Sequence, residues 1–337
     1  MKILIIGLGS MGKRRIRNYQ SLGYNNLVGF DIKENRIKEV SELYKIPCFN
    51  NFNKIIEENT FDAWIISVPP DLHHLYIKKG IELGIPCFVE ASVVDTDMVE
   101  IIKTANEKSV LIAPSCTLLF HPAIKIIKTI LDKKELGLIT NIIYHSGQFL
   151  PDWHTYEPVE NYYVSNPLTG GAREIVPFEL SWITQVIGFP NYIGAMFKKT
   201  IDIKGAEKID DTYNLLLDYG QFILNLNVDV VSRCATRNMM INGSEKQLTW
   251  NWTDNAIKIY DPKKEEWDII NYETINAELG YNKNITEQMY IDEMDHFIGK
   301  VKGEKEYPNT LEHDHKILKV LYAAEESYTQ KKFVNFQ

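Results

Sequence analysis

Cysteine is scarce in this 337-residue sequence: there are four, at Cys48, Cys87, Cys116 and Cys234, and no two form a C-x-x-C pair. This excludes a disulfide framework and a cysteine zinc site as organising devices, and four reduced thiols in a cytoplasmic protein are expected. Nor is there a run near the ~18–20 apolar residues of a membrane span. Met1-Lys2-Ile3-Leu4-Ile5-Ile6-Gly7 is only briefly apolar before Lys13-Arg14-Arg15, so a buried first strand is expected and not an export leader. Positive charge is not in excess: 37 Lys and Arg stand against 45 Asp and Glu, a net charge of −8. Broad binding to nucleic acid or anionic lipid is therefore not expected. His73-His74 and His313-Asp314-His315 lack the H-E-x-x-H arrangement, so packing or solvated roles are expected and no metal. Internal repeats, low-complexity tracts and long linkers are also missing.

What is present suits two closely apposed domains, since the length exceeds one ordinary core. Residues 1–120 alternate short apolar runs (2–6, 27–30, 63–68, 86–90, 110–113) with helical patterns (11–22, 71–83, 96–108). This alternation predicts an α/β domain with a parallel sheet and crossover helices. Residues 121–337 read differently. After a helix at 123–131, period-two runs appear at 139–146, 213–218, 222–231, 246–252 and 257–260. Turn signals lie at Asp218-Tyr219-Gly220-Gln221 and Ile241-Asn242-Gly243-Ser244. An α+β domain with a largely antiparallel open sheet is expected, with closing helices at 289–300 and 311–328, within about 286–330.

Gly7-Leu8-Gly9-Ser10-Met11-Gly12 follows the first apolar run and opens a helix. In that context G-x-G-x-x-G is a dinucleotide loop. Gly7 permits the turn, Gly9 lets the backbone approach a pyrophosphate, and Gly12 brings helix and strand together, with Ser10 and Met11 at the helix N-terminus. Asp31 ends the second strand at the distance of an acid that binds the adenosine ribose. It favours NAD, while Lys33 and Arg36 leave NADP open.

The order of these blocks resembles the Gfo/Idh/MocA family of oxidoreductases over nearly the whole chain. Ile66-Ser67-Val68-Pro69-Pro70-Asp71-Leu72-His73 resembles the family's segment beside the nicotinamide. Gly84-Ile85-Pro86-Cys87-Phe88-Val89-Glu90 resembles the strand that delivers its Glu-Lys-Pro motif. Phe120-His121-Pro122-Ala123 resembles the crossover to the second domain, and Gly170-Gly171 to Gly188 the catalytic helix. Met289 to Glu293 and Ala323 to Ser327 resemble the closing helices. The resemblance implies that Ser67, Val68, Pro69, His73 and Glu90 join Gly7, Gly9, Ser10, Met11, Gly12 and Asp31 in holding the cofactor. It also implies a second domain whose open sheet face builds homodimers or homotetramers.

The departures fall on the chemistry. Glu-Lys-Pro is here Glu90-Ala91-Ser92, and the family's Asp and His fall at Ile175 and at Phe178 or Glu179. Removing a proton as hydride leaves an alcohol needs a positioned base, a contribution of roughly 10²–10⁴-fold. Glu179 is the leading candidate base, provided burial raises its pKa; Glu174 and His154 are further candidates, and a purely structural Glu179 is the alternative. Ahead of the glycine pair, Pro151-Asp152-Trp153-His154-Thr155-Tyr156-Glu157 and Asn161-Tyr162-Tyr163 mix aromatic planes with polar groups, which suits a sugar. Trp153 and Tyr163 are expected to stack, His154 and Tyr156 to hydrogen-bond, and Arg173 to bind an anionic substrate group; a packed Ω-loop is the alternative. This loop resembles that of family members with surface-polysaccharide functions. Two readings follow: an NAD(H)-dependent oxidoreductase acting on a hydroxyl or carbonyl of a sugar, nucleotide-sugar or cyclitol, and a catalytically silent dinucleotide-binding homologue serving as sensor or partner subunit.

Overall fold

The computed structural model describes residues 1–154, 157–275 and 286–336. The chain divides into two compact units, Met1–Thr117 with Tyr290–Lys316, and Leu118–Met289 with Ile317–Gln337.

In the first unit the all-apolar runs form strands buried on both faces, as parallel strands covered by helices require. Its elements are β1 (Ile3–Ile6), α1 (Ser10–Ser21), β2 (Leu27–Phe30), α2 (Glu34–Tyr44), β3 (Cys48–Phe49), α3 (Phe52–Glu58), β4 (Ala63–Ile66), α4 (His73–Leu83), β5 (Cys87–Val89), α5 (Met98–Lys108) and β6 (Ile112–Pro114). All strand pairings are parallel, in the order β3-β2-β1-β4-β5-β6. The order reverses between β1 and β4, the switch point at which such sheets bind ligands at their strand C-termini. Elements α2, β3 and α3 went unread in the sequence. Polar positions dominate α2, whose one buried residue is Val40, and β3 is a two-residue edge strand.

Residues 290–316, expected with the second domain, belong to the first unit. The cause is a buried charge cluster. Arg15 is 0% exposed and donates to both oxygens of Glu90, from Nε at 2.7 Å and from Nη2 at 2.8 Å. Its Nη1 donates to Glu293 Oε2 at 2.9 Å. Glu293, also fully buried, accepts further bonds from the Cys116 amide at 2.7 Å and the Ser115 and Thr117 hydroxyls at 3.0 and 2.7 Å. Two carboxylates and a cluster of donors are thus satisfied around one guanidinium, which also lies 4.5 Å over the Phe88 ring.

The second unit contains α6 (Pro122–Asp132), β7 (Ile139–Phe149), α7 (Ala172–Val186), β8 (Tyr192–Lys198), β9 (Thr212–Asp218), β10 (Ile223–Asp229), β11 (Val231–Gly243), β12 (Gln247–Asn251), β13 (Ala256–Asp261) and β14 (Glu266–Asn271). The chain closes through α8 (Gln288–Val301), α9 (Leu311–Gln330) and β15 (Val334–Asn335). One sheet of nine strands runs β14-β13-β12-β11-β7-β10-β9-β8-β15. Every pairing is antiparallel except that of β7 with β10. Alternation puts Ile142, Tyr144, Leu215, Leu217, Leu224, Leu226, Ile241 and Leu248 into the core, and α7 packs against β9 and β10 there. The expected strand at 222–231 is two strands. Asp229 Oδ1 accepts the Val231 and Ser232 amides at 3.1 and 2.8 Å and turns the corner between β10 and β11.

Among the described residues no helix is long and apolar enough to cross a membrane, and no group of three His, Cys, Asp or Glu is placed to hold a metal ion.

Replacing Arg15 by Met strands two buried carboxylates. Loss of one partner of a buried ion pair costs about 3–5 kcal/mol, so guanidinium unfolding of Arg15→Met is expected to show a loss of that size. A change below about 1 kcal/mol would contradict the role given to the cluster.

Candidate functional site

The expected cofactor residues line the C-terminal edge of the parallel sheet: Gly7 after β1, Asp31 after β2, Ser67 after β4 and Glu90 after β5. Gly7 has φ +93°, and a Cβ there would lie 2.5 Å from the Ser67 carbonyl oxygen. A Cβ on Gly12 would lie 1.9 Å from the Gly7 carbonyl oxygen. Both are glycines because the fold allows nothing larger. Gly9 is different. A Cβ there would meet, among the described residues, only the Arg36 side chain, at 3.6 Å. Gly9 is also the N-cap of α1, which starts without a side-chain cap and without an acid in its first turn. The chain itself does not need glycine here, whereas a pyrophosphate approaching the positive end of the helix does. The residues present therefore fit a dinucleotide, with Ser10 and Met11 opening the helix beneath it.

Asp31 is 5% exposed; its Oδ2 accepts the Leu8 amide at 2.8 Å and its Oδ1 the Lys33 amide at 2.8 Å. The acid expected for the ribose thus also pins the glycine loop, with lone pairs to spare on both oxygens. Arg36, expected only to modify cofactor choice, places its Nη1 3.7 Å from Asp31 Oδ2 and beside Gly9. Ser67 donates its hydroxyl to Glu90 Oε1 at 3.1 Å. Glu90, expected at the cofactor, is held by Arg15. After Val68 and Pro69, His73 opens α4, and its Nε2 lies 3.0 Å from the Val68 carbonyl oxygen. A carbonyl can only accept, so Nε2 carries the proton, and Nδ1 has no partner among the described residues. Burial pushes this imidazole down to about 4, so it is neutral at physiological pH.

The second unit corrects two expectations. Glu179 is fully buried. Its Oε2 accepts from the Tyr144 hydroxyl at 2.7 Å and from Trp182 Nε1 at 3.0 Å; its Oε1 accepts from the Ser146 hydroxyl at 2.8 Å and from Arg237 Nε at 2.9 Å. Four donors and no exposure make it a structural anion and not a base open to substrate. Arg173 does not wait for an anionic substrate: its Nε donates to Glu325 at 2.6 Å and its Nη1 to the Leu168 carbonyl. Tyr163 is engaged through its hydroxyl, which donates to Glu174 Oε1.

Of the remaining candidates, His154 lies 3.2 Å from Glu157 and stacks on Tyr162 with centroids 4.5 Å apart. Trp153 has a buried indole N–H with no partner among the described residues. Tyr156 lies outside the described residues. At the positions expected to correspond to the family's Asp and His, Ile175 is buried, and Phe178 is half-buried with the Arg237 guanidinium 6.0 Å from its ring centroid.

Glu174 is the other candidate base on this helix. It sits in the first turn of α7, and its Oε2 is buried without a partner among the described residues. Burial pushes the carboxyl up to about 8, against the pull of the Tyr163 hydroxyl. The glycine pair brings these two side chains together. A Cβ on Gly170 would lie 2.0 Å from the Val164 carbonyl oxygen, so the approach to α7 runs hard against the 3-10 turn Tyr163–Ser165. Gly171, at φ +66°, then turns the chain into the helix.

Alanine at Gly170 must push that turn away. An overpacking loss of about 1–3 kcal/mol is expected in denaturant unfolding; an unchanged midpoint would refute the contact.

Residues 1–115 match the family described as "Oxidoreductase family, NAD-binding Rossmann fold" (GFO_IDH_MocA). No curated protein matches the sequence significantly. Among solved structures, an oxidoreductase from Agrobacterium radiobacter in complex with NAD+, L-tartaric acid and magnesium matches with a TM-score of 0.85 at 12% identity, covering 100% of this chain and 98% of that one. Levoglucosan dehydrogenase in complex with NADH and levoglucosan matches at 0.83 and 13%, covering 100% and 99%. A putative myo-inositol dehydrogenase from Sinorhizobium meliloti 1021 matches at 0.78 and 16%, covering 100% of both chains. Identities this low carry the fold alone, and that fold runs the length of the chain. Over residues 1–115 the sequence is thus similar to the NAD-binding Rossmann fold of the Gfo/Idh/MocA oxidoreductases.

Proposed function

We propose that the protein is an NAD(H)-dependent oxidoreductase that interconverts a hydroxyl and a carbonyl on a sugar, nucleotide-sugar or cyclitol. The observation that carries this reading is Gly9: a glycine the fold does not require, at the bare positive end of α1 and one residue from the Leu8 amide that Asp31 holds. Gly7, Gly12, Ser67, Val68, Pro69 and His73 complete the cofactor side. When bound, NAD supplies the hydride acceptor. Asp31 favours NAD over NADP by opposing a 2′-phosphate; Arg36 beside it weakens that preference without reversing it.

In the second unit the aromatic residues Trp153, Tyr162 and Tyr163, with an indole N–H that has no partner among the described residues, suit a polyol, whose ring has apolar faces and a polar rim. The sugar and cyclitol named for two similar folds support the same substrate class, and the loop's resemblance to members with surface-polysaccharide functions favours a role in surface-carbohydrate metabolism. Four free thiols fit a cytoplasmic enzyme. Ala91, Ile175 and Phe178 favour a second reading, in which the chain binds its dinucleotide and catalyses nothing, acting as a sensor or partner subunit.

A homodimer or homotetramer is also part of the proposal. The open sheet face aligns Leu216, Asn225, Ile143, Met240, Thr249, Lys258 and Ile269 in one row, and Leu216, Ile143 and Ile269 are exposed. These three exposed apolar side chains, interleaved with Asn225, Thr249 and Lys258, support an interface on that face. Leu216→Glu is expected to lower the mass measured by light scattering to that of one chain; a wild type that is already monomeric rejects the oligomer.

Titration with NADH and NADPH, followed by nicotinamide fluorescence, tests the cofactor site. Gly9→Val is expected to abolish binding while leaving the thermal midpoint within a few degrees, and Asp31→Ala to narrow the preference for NADH. Binding that survives Gly9→Val, or no binding by the wild type, would overturn both readings.

A further inference from the structure

We propose that Arg36 is a binding residue for the 2′-phosphate of NADP(H), and that through it the protein takes NADP(H) as a second cofactor beside NAD(H). This rests on the dinucleotide reading above and adds a ligand group to it. Three observations carry it, all within the first unit. Arg36 lies in the first turn of α2, with its Nη1 3.7 Å from Asp31 Oδ2, beyond hydrogen-bond reach. The guanidinium makes no hydrogen bond to any described residue, so its N–H donors are unspent. Its side chain is 25% exposed, whereas that of Asp31 is 5% exposed, so the cation is open to a ligand and the acid is largely covered. The same guanidinium is what a Cβ on Gly9 would meet, at 3.6 Å from Nη1 and 3.9 Å from Cζ. It therefore stands both at the acid expected for the ribose and at the glycine that a dinucleotide approaches.

An acid at the ribose selects NAD in two ways: it accepts from the ribose hydroxyls and it repels a 2′-phosphate. In this chain the two effects come apart. Each Asp31 oxygen accepts one backbone amide, from Leu8 and from Lys33, and keeps lone pairs for hydroxyls. Arg36 offsets the carboxylate charge without using those lone pairs. NAD is still held through its ribose hydroxyls, so its advantage persists. A 2′-phosphate, however, meets a compensated pair and not a bare anion. It also meets a guanidinium whose planar fork matches a phosphate with two parallel hydrogen bonds. Of the neighbouring charges, Lys13 is spent on Glu39. Lys33 and Glu34 are exposed to water, where screening weakens them.

Binding without turnover tests the assignment. The ligands are NADH, NADPH, and the pair 5′-AMP and adenosine 2′,5′-bisphosphate, which differ only in the 2′-phosphate and are followed by displacement of NADH fluorescence. Arg36→Gln is expected to weaken NADPH and the bisphosphate roughly 10–100-fold, as loss of charge-assisted hydrogen bonds implies. NADH and 5′-AMP should change by less than about fivefold. Lys33→Gln removes the same charge from an exposed neighbour and should also cost NADPH less than about fivefold. In an Asp31→Ala background, Arg36→Gln should still weaken NADPH, because the contact is with phosphate. A loss that vanishes in that background means the guanidinium only masks the carboxylate, and the proposal fails. An equal loss for NADH and NADPH puts Arg36 at the shared pyrophosphate and also rejects it, as does a Lys33→Gln loss as large as that of Arg36→Gln. A wild type that binds NADH but not NADPH removes the second cofactor. Each of these results leaves the oxidoreductase reading standing, whereas a wild type that binds neither nucleotide overturns both.

Discussion

The distance between a glycine Cα and a carbonyl oxygen governs much of this protein. At Gly7 and Gly12 the backbone comes so near its neighbour that a single methyl group would collide, at 2.5 and 1.9 Å. The turn after β1, the start of α1 and the end of β4 are thereby locked into one geometry. Gly170 does the same for the approach to α7, at 2.0 Å from Val164. Against these, Gly9 stands out as a glycine with room above it. Three glycines serve packing, and the fourth serves whatever approaches the positive end of the helix.

Buried carboxylates can be sorted by the same kind of accounting, with donors in place of distances. Glu293 has an arginine, an amide and hydroxyls around it, and Glu179 has a phenol, an indole, a hydroxyl and an arginine. Such anions are finished; they hold elements together and have nothing left to offer. Glu174 has one phenol on one oxygen. The low dielectric that makes a satisfied network rigid makes an unsatisfied oxygen costly.

The sequence made the first unit legible because buried parallel strands are continuous apolar runs and the glycine loop is local. It concealed α2, where one buried residue in a polar helix leaves no stripe to read, and the corner at Asp229, where period two continues unbroken while a side chain turns the backbone. Contacts between distant residues were out of reach. The pairing of Arg15 with Glu293, which places residues 290–316 in the first unit, carries no local signal. For the same reason Glu179 looked like a base: position along the helix was visible, but Tyr144, Ser146 and Arg237 belong to strands remote in sequence. The glycine pair at Gly170 and Gly171 was plain, yet what it brings together, Tyr163 and Glu174, is a matter of close approach that spacing does not express.

Two dinucleotide-binding readings separate on whether hydride moves. The most direct measurement is transfer of deuterium from carbon-deuterated sugars and cyclitols to NAD+, followed by mass spectrometry of the recovered nucleotide. The account predicts singly deuterated NADH with at least one polyol, and none with Gly9→Val over the same interval. Full occupancy by NAD+ with no deuterium transferred from any polyol would contradict it, leaving a protein that keeps the dinucleotide site of an oxidoreductase and performs no oxidation.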